Sequence, residues 1–183
     1  LFLSIVAFFL VESKYLNVIL LSALPIVMIA GKEDLYHNTS PKLRLMMMIL
    51  SAGLFIYLLP TKLPEIDLPI LNQILEFGYL KEIFFIFCIL VIINGNNFID
   101  GTNGNMALSN VIQLISIALL ADNVGDGNVV ALVCLLLIPL VVFALFNFPF
   151  GKVFCGDTGA YFYGFAVSAT IIYLFGVYNE ILS

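Results

Sequence analysis

Long apolar segments dominate this sequence and limit what the chain can fold into. One of them, at 84–93, reads FFIFCILVII without a polar side chain. A helix that crosses a bilayer needs about 20 mainly apolar residues. Hydrophobic residues make up 62% of the 183 positions and charged residues 10%, which is more apolar surface than a water-soluble domain of this length buries. We therefore predict an all-α, polytopic membrane bundle.

The apolar segments predict six full membrane spans and one partial span. In chain order, with the partial span first, they cover 1–11, 16–30, 43–59, 83–98, 105–121, 129–147 and 160–178. The alternating in-and-out pattern of a membrane barrel is absent from the sequence. The chain opens within an apolar run and stops just past a span. We expect one transmembrane domain over 1–183, truncated at its N-terminus and at its C-terminus.

Connections between spans alternate between the two membrane faces, so every second connection lies on the same face. The second, fourth and sixth are the polar, Gly-rich ones, with the sequences GKEDLYHNTSPK, NGNNFIDGTNG and PFGKVFCGDTG. They bring four acids to one face: Glu33, Asp34, Asp100 and Asp157. Four of the seven Lys and Arg residues lie on this face as well, which favours the cytoplasmic side.

The fourth connection has the densest group of polar side chains. Asn94, Asn97 and Asp100 are three apart, so a helix that continues through them keeps them near one face. Amides and a carboxylate at a membrane edge suit the binding of phosphate, sugar or a cation. The alternative is an ordinary helix end with turn-forming residues. That alternative explains one Asn-Gly pair better than it explains four Asn, one Asp and three Gly in eleven residues.

The other two polar connections each carry acids beside a predicted helix start. Asp157 precedes a helix that we expect near Gly159, where it could be an N-cap or could offer carboxylate oxygen to Mg²⁺. Ser40 followed by Pro predicts an N-cap with Pro at the first helical position. We expect Glu33 and Asp34 to lie in the loop before that start.

Basic residues and cysteines of the sequence allow simpler interpretations. Lys42 and Arg44 are typical of anchors at a membrane face, with contact to a lipid phosphate as the alternative. Asn147 ends a span before a turn. The three cysteines fit neither a zinc site nor a disulfide framework. The scattered Lys and Arg give no sign of nucleic-acid binding.

Taken in order, the three polar connections resemble the motifs of the polyprenyl-phosphate N-acetylhexosamine-1-phosphate transferases. This family includes the MurNAc-pentapeptide and GlcNAc-1-phosphate transferases. Its paired acids before a Ser-Pro helix start resemble EDLYHNTSP. Its Asn-x-x-Asn-x-x-Asp-Gly-x-Asp/Asn-Gly motif resembles NGNNFIDGTNG, and its Asn-x-Pro motif that ends in Gly-Asp-x-Gly resembles NFPFGKVFCGDTGA. The resemblance covers residues from 30 to 165.

This resemblance implies a transmembrane catalytic domain that works at the cytoplasmic face of the inner (plasma) membrane. Such an enzyme transfers a sugar-1-phosphate from a UDP-N-acetylhexosamine to undecaprenyl (polyprenyl) phosphate. UMP leaves, and the product starts a cell-envelope glycan, in cell-wall or lipopolysaccharide biosynthesis. Mg²⁺ is the implied cofactor, with Mn²⁺ as an alternative. A homodimer is an open alternative to a monomer.

The family's site residues carry over to matching positions of this chain. Asp34, Asp100 and Asp157 are the implied catalytic residues. Asp157 and Asp100 would hold the metal, and Asp34 would bind or deprotonate the lipid phosphate. The implied substrate-binding residues are Glu33, Asn94, Asn97, Asn103, Asn147 and Lys42.

Two positions depart from the family pattern, and two rival hypotheses remain. Glu33 stands where an Asp is frequent, and Asn103 stands where the peptidoglycan enzyme has a second Asp, which favours the hexosamine-specific branches. The family's His-rich cytoplasmic loop is not found in these residues. The main rival is an ion-coupled transporter, but transporter acids usually sit near the bilayer midplane. The other rival is a membrane subunit without chemistry.

Overall fold

In the computed structural model, residues 14–66 and 68–182 are described, and they form a bundle of α-helices. No β-strand occurs in this part of the chain. The helices, in order, are α1 Lys14–Tyr36, α2 Pro41–Leu58, α3 Pro69–Leu75, α4 Leu80–Asp100, α5 Asn105–Asn123, α6 Gly127–Asn147, α7 Gly156–Val177 and α8 Asn179–Leu182. The predicted all-α class is confirmed.

Six of these helices are long and apolar enough to cross a membrane, namely α1, α2, α4, α5, α6 and α7. They coincide with the six predicted full spans, and the chain is a multi-pass membrane protein. Most run a few residues beyond the predicted bounds, because polar residues extend the helix past the apolar segment. The predicted partial span at 1–11 lies outside the described residues.

Two predicted helix ends are wrong, and both lie next to predicted site residues. The loop expected at Glu33 and Asp34 is instead the last turn of α1, which ends only at Tyr36. α7 begins at Gly156, three residues before the predicted start, so Asp157 lies in its first turn and is not its N-cap. The predicted N-cap of α2 is confirmed. The hydroxyl of Ser40 accepts a hydrogen bond from the backbone N–H of Leu43 at 3.3 Å.

α7 is the central helix of the bundle. It packs against α1, α4 and α5, while α2 packs on α1 and α4, and α6 packs on α5. Small residues allow its neighbours to approach closely, as is common between membrane helices. A Cβ atom at Gly164 would lie 2.9 Å from the Cα of Ile93, so the backbones of α4 and α7 are in direct contact. The start of α7 is therefore fixed against the end of α4.

The outer surface of the bundle is apolar, as a lipid-facing surface should be. On α4, for example, the side chains of Ile83, Phe87 and Val91 are exposed. The short helix α3 also has exposed apolar side chains, at Ile70 and Ile74. A short helix of seven residues with exposed apolar side chains is typical of a segment that lies in the membrane interface.

The helix connections meet on two faces, as the alternation of spans predicts. On one face, Asp34 at the end of α1 contacts Asp157 at the start of α7. We call this the motif face. On the opposite face, the hydroxyl of Tyr178 donates to Asp126 Oδ2 at 3.3 Å, and Asn179 Oδ1 accepts from the backbone N–H of Glu65. Residues far apart in the chain thus converge on the motif face.

Candidate functional site

The carboxylate of Asp157 is the centre of the polar network on the motif face. Its Oδ2 atom accepts a hydrogen bond from Arg44 Nη1 at 2.9 Å, and its Oδ1 atom accepts one from Asn97 Nδ2 at 2.7 Å. The ion pair with Arg44 is the one salt bridge found among the described residues. Both side chains are about three-quarters buried, so water screens the pair less than an exposed one. Three spanning helices, α2, α4 and α7, therefore meet at one carboxylate.

Asp34 holds the first turn of α7 from a different helix. Its Oδ1 accepts from the backbone N–H of Asp157 at 2.8 Å, and its Oδ2 accepts from the N–H and the hydroxyl of Thr158 at 3.0 and 2.6 Å. The first N–H groups of a helix have no partner within it, and a negative charge there is favourable. Asp34 thus supplies the cap that the sequence predicts within the GDTG segment itself.

Gly156 makes this contact sterically feasible. Its φ is +70°, a conformation that side chains with a Cβ atom rarely adopt. A Cβ atom at this position would lie 2.9 Å from Asp34 Oδ2. The first glycine of GDTG therefore allows both the turn into α7 and the close approach of the capping carboxylate.

Asp100 completes a cluster of three acids. It is the last residue of α4 and is only 7% exposed. Its carboxylate lies within electrostatic range of the carboxylates of Asp157 and Asp34, beside the backbone of Gly156 and Cys155. The structure brings together Asp34, Asp100 and Asp157, as the sequence predicts.

The donor chemistry of this cluster fits Mg²⁺. Within the described ranges, no group of three or more His, Cys, Asp or Glu side chains that could hold a metal ion is found. Mg²⁺ commonly needs only one or two carboxylates, because water and substrate phosphates complete its coordination. Asp157 uses one acceptor position on each oxygen, and a carboxylate offers about four. Hard oxygen donors therefore remain on Asp157 and Asp100, and their role as ligands stays a prediction.

Asn147 ties the fourth connection to the sixth. Its side chain is 2% exposed. Its Oδ1 accepts from the backbone N–H of Gly104 at 2.5 Å, and its Nδ2 donates to the carbonyl of Val153 at 2.7 Å. Both polar atoms of the amide are engaged by backbone. The structure gives Asn147 a positioning role, and direct substrate contact stays a prediction.

The same junction involves Asn103, which is exposed and donates from Nδ2 to the carbonyl of Pro149 at 3.2 Å. Gly151 has a φ of +58°, and a Cβ atom there would lie 2.6 Å from Asn103 Oδ1. The amide of Asn103 therefore packs against the turn at Gly151. Its predicted role in substrate binding is not tested by these contacts.

The other predicted substrate-binding residues are spread around the network. Asn94 is exposed and donates to the carbonyl of Leu90 at 2.8 Å. Glu33 Oε2 accepts from the backbone N–H of Thr39 at 2.8 Å, which stabilises the turn between α1 and α2. Lys42 is exposed at the start of α2. Substrate contact by these three residues stays a prediction.

Arg44 and Tyr161 flank a small cavity that the sequence does not predict. The cavity has a volume of about 180 Å³ and lies between α2 and α4, with Asn94 and Asn97 also in its lining. Arg44 Nη1 donates to the hydroxyl of Tyr161 at 3.4 Å as well as to Asp157. The sequence suggests Arg44 only as an anchor or a lipid-phosphate contact. Its pairing with Asp157 spans 113 positions, and no local signal predicts it.

Asn96 is a second residue that sequence analysis misses. It is 7% exposed, donates from Nδ2 to the carbonyl of Ala160 at 2.7 Å, and accepts from Asn110 Nδ2 at 2.6 Å. It thereby links α4 and α5 to the second turn of α7. The sequence offers one signal for a role of Asn96, which is its position next to Asn97. Successive residues of a helix are about 100° apart, so Asn96 faces a different side of α4 from Asn97.

The comparison with known proteins agrees with this geometry. Residues 16–175 match the family described as Glycosyl transferase family 4. The chain belongs to glycosyl transferase family 4. The matched range includes all three acids of the cluster and the residues that hold them.

Curated relatives in this family bear out the resemblance seen in the sequence. A probable undecaprenyl-phosphate N-acetylglucosaminyl 1-phosphate transferase of Bacillus subtilis (strain 168) is 30% identical over 162 residues, which are 85% of this chain and 43% of the relative. A phospho-N-acetylmuramoyl-pentapeptide-transferase of Streptococcus agalactiae serotype Ia is 31% identical over 145 residues, 78% of this chain and 42% of the relative.

The chain spans less than half the length of these glycosyl transferase family 4 relatives. No solved structure gives a significant match to it. The relatives are transferases by name, so they give the transporter alternative no support.

The acid cluster has a measurable effect on Cys155. Burial raises the pKa of its thiol to about 12, and the carboxylates of Asp100 and Asp34 contribute to the rise. Only the thiolate attacks a maleimide, so the raised pKa of Cys155 slows its modification at pH 8. With the other two cysteines replaced by Ala, we expect N-ethylmaleimide to modify Cys155 at least about a hundred-fold more slowly than a cysteine placed at exposed Thr102.

Mass spectrometry over a time course would measure the two modification rates. Protein yield in the membrane is the control for folding. Equal rates at pH 8 would contradict the raised pKa of the partly buried Cys155 thiol beside two carboxylates.

Proposed function

We propose that the full-length protein transfers N-acetylhexosamine-1-phosphate from a UDP-sugar to a polyprenyl phosphate, at the cytoplasmic face of the plasma membrane. The observation that carries the proposal is the network in which Arg44, Asn97 and Asp34 all hold the Asp157 residue. It gathers the three motifs of the resembled family at one membrane face. The names of two relatives describe transfers of this kind.

In the proposed reaction, an oxygen of the lipid phosphate forms a bond to the β-phosphorus of the UDP-sugar. The bond from that phosphorus to the bridging oxygen breaks, and UMP leaves with the electron pair. The product is a lipid diphosphate sugar. Both substrates are anions that repel each other, so positive charge near the reacting phosphates lowers the barrier.

Arg44 is the residue that we propose for the lipid phosphate. A guanidinium binds phosphate well because its N–H groups form a planar fork, and the contacts with Asp157 and Tyr161 both use Nη1. The cavity beside it lies between α2 and α4, and neighbouring side chains of α2 such as Met46 are exposed toward lipid. A polyprenyl phosphate could then place its phosphate at Arg44 while its chain stays in the bilayer. Exposed Lys42 would add a second positive charge.

Asp100 and Asp157 are the residues that would hold Mg²⁺, with Mn²⁺ as an alternative. A divalent cation supplies charge neutralisation for the diphosphate of the nucleotide sugar. Asp34 keeps the first turn of α7 in place, so that Asp157 points toward Arg44 and Asn97. An alternative role for Asp34 is proton acceptance from the lipid phosphate.

The sugar that we propose is N-acetylglucosamine. Asn103 stands where the peptidoglycan enzymes have an Asp, and the chain is similar to a relative named for N-acetylglucosaminyl 1-phosphate transfer. The lipid product would begin a cell-envelope glycan. Asn94, Asn97 and Asn103 offer amide groups for the sugar and its phosphates.

Radiolabelled UDP-N-acetylglucosamine, incubated with undecaprenyl phosphate and membranes that contain the full-length protein, tests the proposal. We expect label in the organic-solvent extract. A transporter would place label inside the vesicles without a lipid product. A subunit without chemistry would do neither, and the last two results would each contradict the proposal.

The assignment of the motif face to the cytoplasm gives a separate prediction. In a cysteine-free protein, a cysteine at Asn38 or Thr102 should react with an impermeant thiol reagent only after the cells are opened. A cysteine at Glu65 should react in intact cells. All three positions are exposed, so accessibility to water does not decide the outcome. Labelling of Thr102 and Glu65 from the same side would contradict the one-face arrangement.

A further inference from the structure

A large cavity among the described residues lies on the face opposite the acid cluster. Its volume is about 760 Å³, within the roughly 300–1,000 Å³ that is typical of small-molecule sites. The end of α2, the start of α4 and the end of α7 surround it. Its walls are mixed, with apolar side chains such as Ile56 and Ile86 beside four charged residues.

Two residues that line this cavity each have a buried side-chain oxygen without a hydrogen-bond partner among the described residues. The two oxygens are Oε2 of Glu82 and Oγ1 of Thr61. A buried acceptor without a donor is costly, more so when it carries charge. Glu82 lies in the first turn of α4, whose N-cap residue Tyr79 makes no side-chain capping hydrogen bond. Both oxygens are covered by protein, so the carboxylate of Glu82 reaches a ligand in the cavity by rotation of its side chain.

The charges around the cavity are balanced. Lys62 and Lys81 are in the lining together with Glu65 and Glu82. Neither lysine forms a salt bridge with these acids within the described ranges. A ligand with one negative and one positive group can satisfy both kinds of charge, whereas a simple anion satisfies only the lysines.

The cavity lies at the level of the membrane surface. It is at the ends of three spanning helices, and the tyrosines in its lining, Tyr57 and Tyr79, are 84% and 79% exposed. Tyrosine side chains in this position are typical of the interface between acyl chains and water. Lipid head groups occupy this depth, while apolar walls toward the bilayer suit acyl chains.

We propose that this cavity binds the head group of a phospholipid with a primary ammonium group, of the phosphatidylethanolamine class. The carboxylate of Glu82 rotates toward the cavity and accepts a hydrogen bond from the ammonium group, and the phosphate lies with Lys62 and Lys81. Phosphatidylcholine has no N–H group to donate, and phosphatidylglycerol has no positive charge. This site is separate from the acid cluster, and its existence does not depend on the proposed transferase activity.

The test uses purified full-length protein, first stripped of lipid and then given equal amounts of phosphatidylethanolamine, phosphatidylcholine and phosphatidylglycerol with matched acyl chains. Native mass spectrometry counts the lipid that each molecule retains. We expect a preference of about tenfold for phosphatidylethanolamine over phosphatidylcholine, as one charged hydrogen bond would give. Equal retention of the three lipids would overturn the proposal.

Two variants assign the preference to this cavity. Glu82→Gln should reduce the preference to about twofold or less, and Glu76→Gln, at an exposed acid outside the cavity, should leave it unchanged. Lys62→Gln, at an exposed position, should lower retention of all three lipids several-fold and preserve their ratio. Lys62→Gln still tests the site if Glu82→Gln reduces the yield of protein. A preference that survives Glu82→Gln, or retention that Lys62→Gln leaves unchanged, would show that the lipid binds elsewhere and would overturn the proposal.

Discussion

Replacing Asp157 with Asn is expected to reduce sugar-1-phosphate transfer by the full-length protein about 10²- to 10³-fold. The amide keeps the shape of the side chain but removes the charge that pairs with Arg44 at 2.9 Å. It also removes charge from a predicted metal ligand. Because Asp34 and not Asp157 caps α7, the substitution should leave the helix start in place.

Transfer measured at several Mg²⁺ concentrations, together with membrane yield, tests this expectation. Asp122→Asn is the matched control, since Asp122 is an exposed acid at the other end of α5 and should keep full activity. Near-normal transfer by Asp157→Asn at low Mg²⁺ would mean that Asp157 is not a metal ligand.

Replacing Asp34 with Ala is expected to have the second-largest effect, a loss of about 10²-fold in transfer. Three hydrogen bonds from Asp157 and Thr158 lose their acceptor, so the first turn of α7 is free to shift. A misplacement of about 1 Å in an active site can cost that much. We also expect a loss of about 1 kcal/mol in stability, typical of a missing helix cap.

Asp34→Asn separates the two roles proposed for Asp34. Its amide oxygen can still accept from the backbone of α7, but it cannot take a proton. If Asp34 only positions α7, the Asn variant should retain about tenfold more transfer than the Ala variant, with a higher melting temperature. Equal loss in both variants, with unchanged melting temperatures, would instead assign Asp34 to proton transfer.

Features that depend on hydrophobicity and chain alternation were predictable from the sequence. The six spans follow from the length of the apolar segments, and the sharing of one face by the three polar connections follows from counting spans. The cap at Ser40 is local, since it involves only the N–H of Leu43, and it is found as predicted. Asn94, Asn97 and Asp100 lie on one helix, as their spacing indicates.

Features that depend on a partner far along the chain were not predictable. α7 begins earlier than expected because Asp34, 123 positions away, supplies its cap. Arg44 gives no local sign that it pairs with Asp157. Asn96 looks like one more polar residue in the fourth connection until Ala160 is placed beside it. A single sequence indicates which face these residues share, but packing decides which of them touch.

The position of the transferred phosphate tests the central claim most directly. UDP-N-acetylglucosamine labelled with ³²P only at the β-phosphate would be incubated with the full-length protein and undecaprenyl phosphate. We expect the label to move into the lipid fraction while unlabelled UMP is released. Label that stays in the water-soluble fraction as UDP, beside a lipid that carries sugar without the labelled phosphate, would contradict sugar-1-phosphate transfer at this cluster.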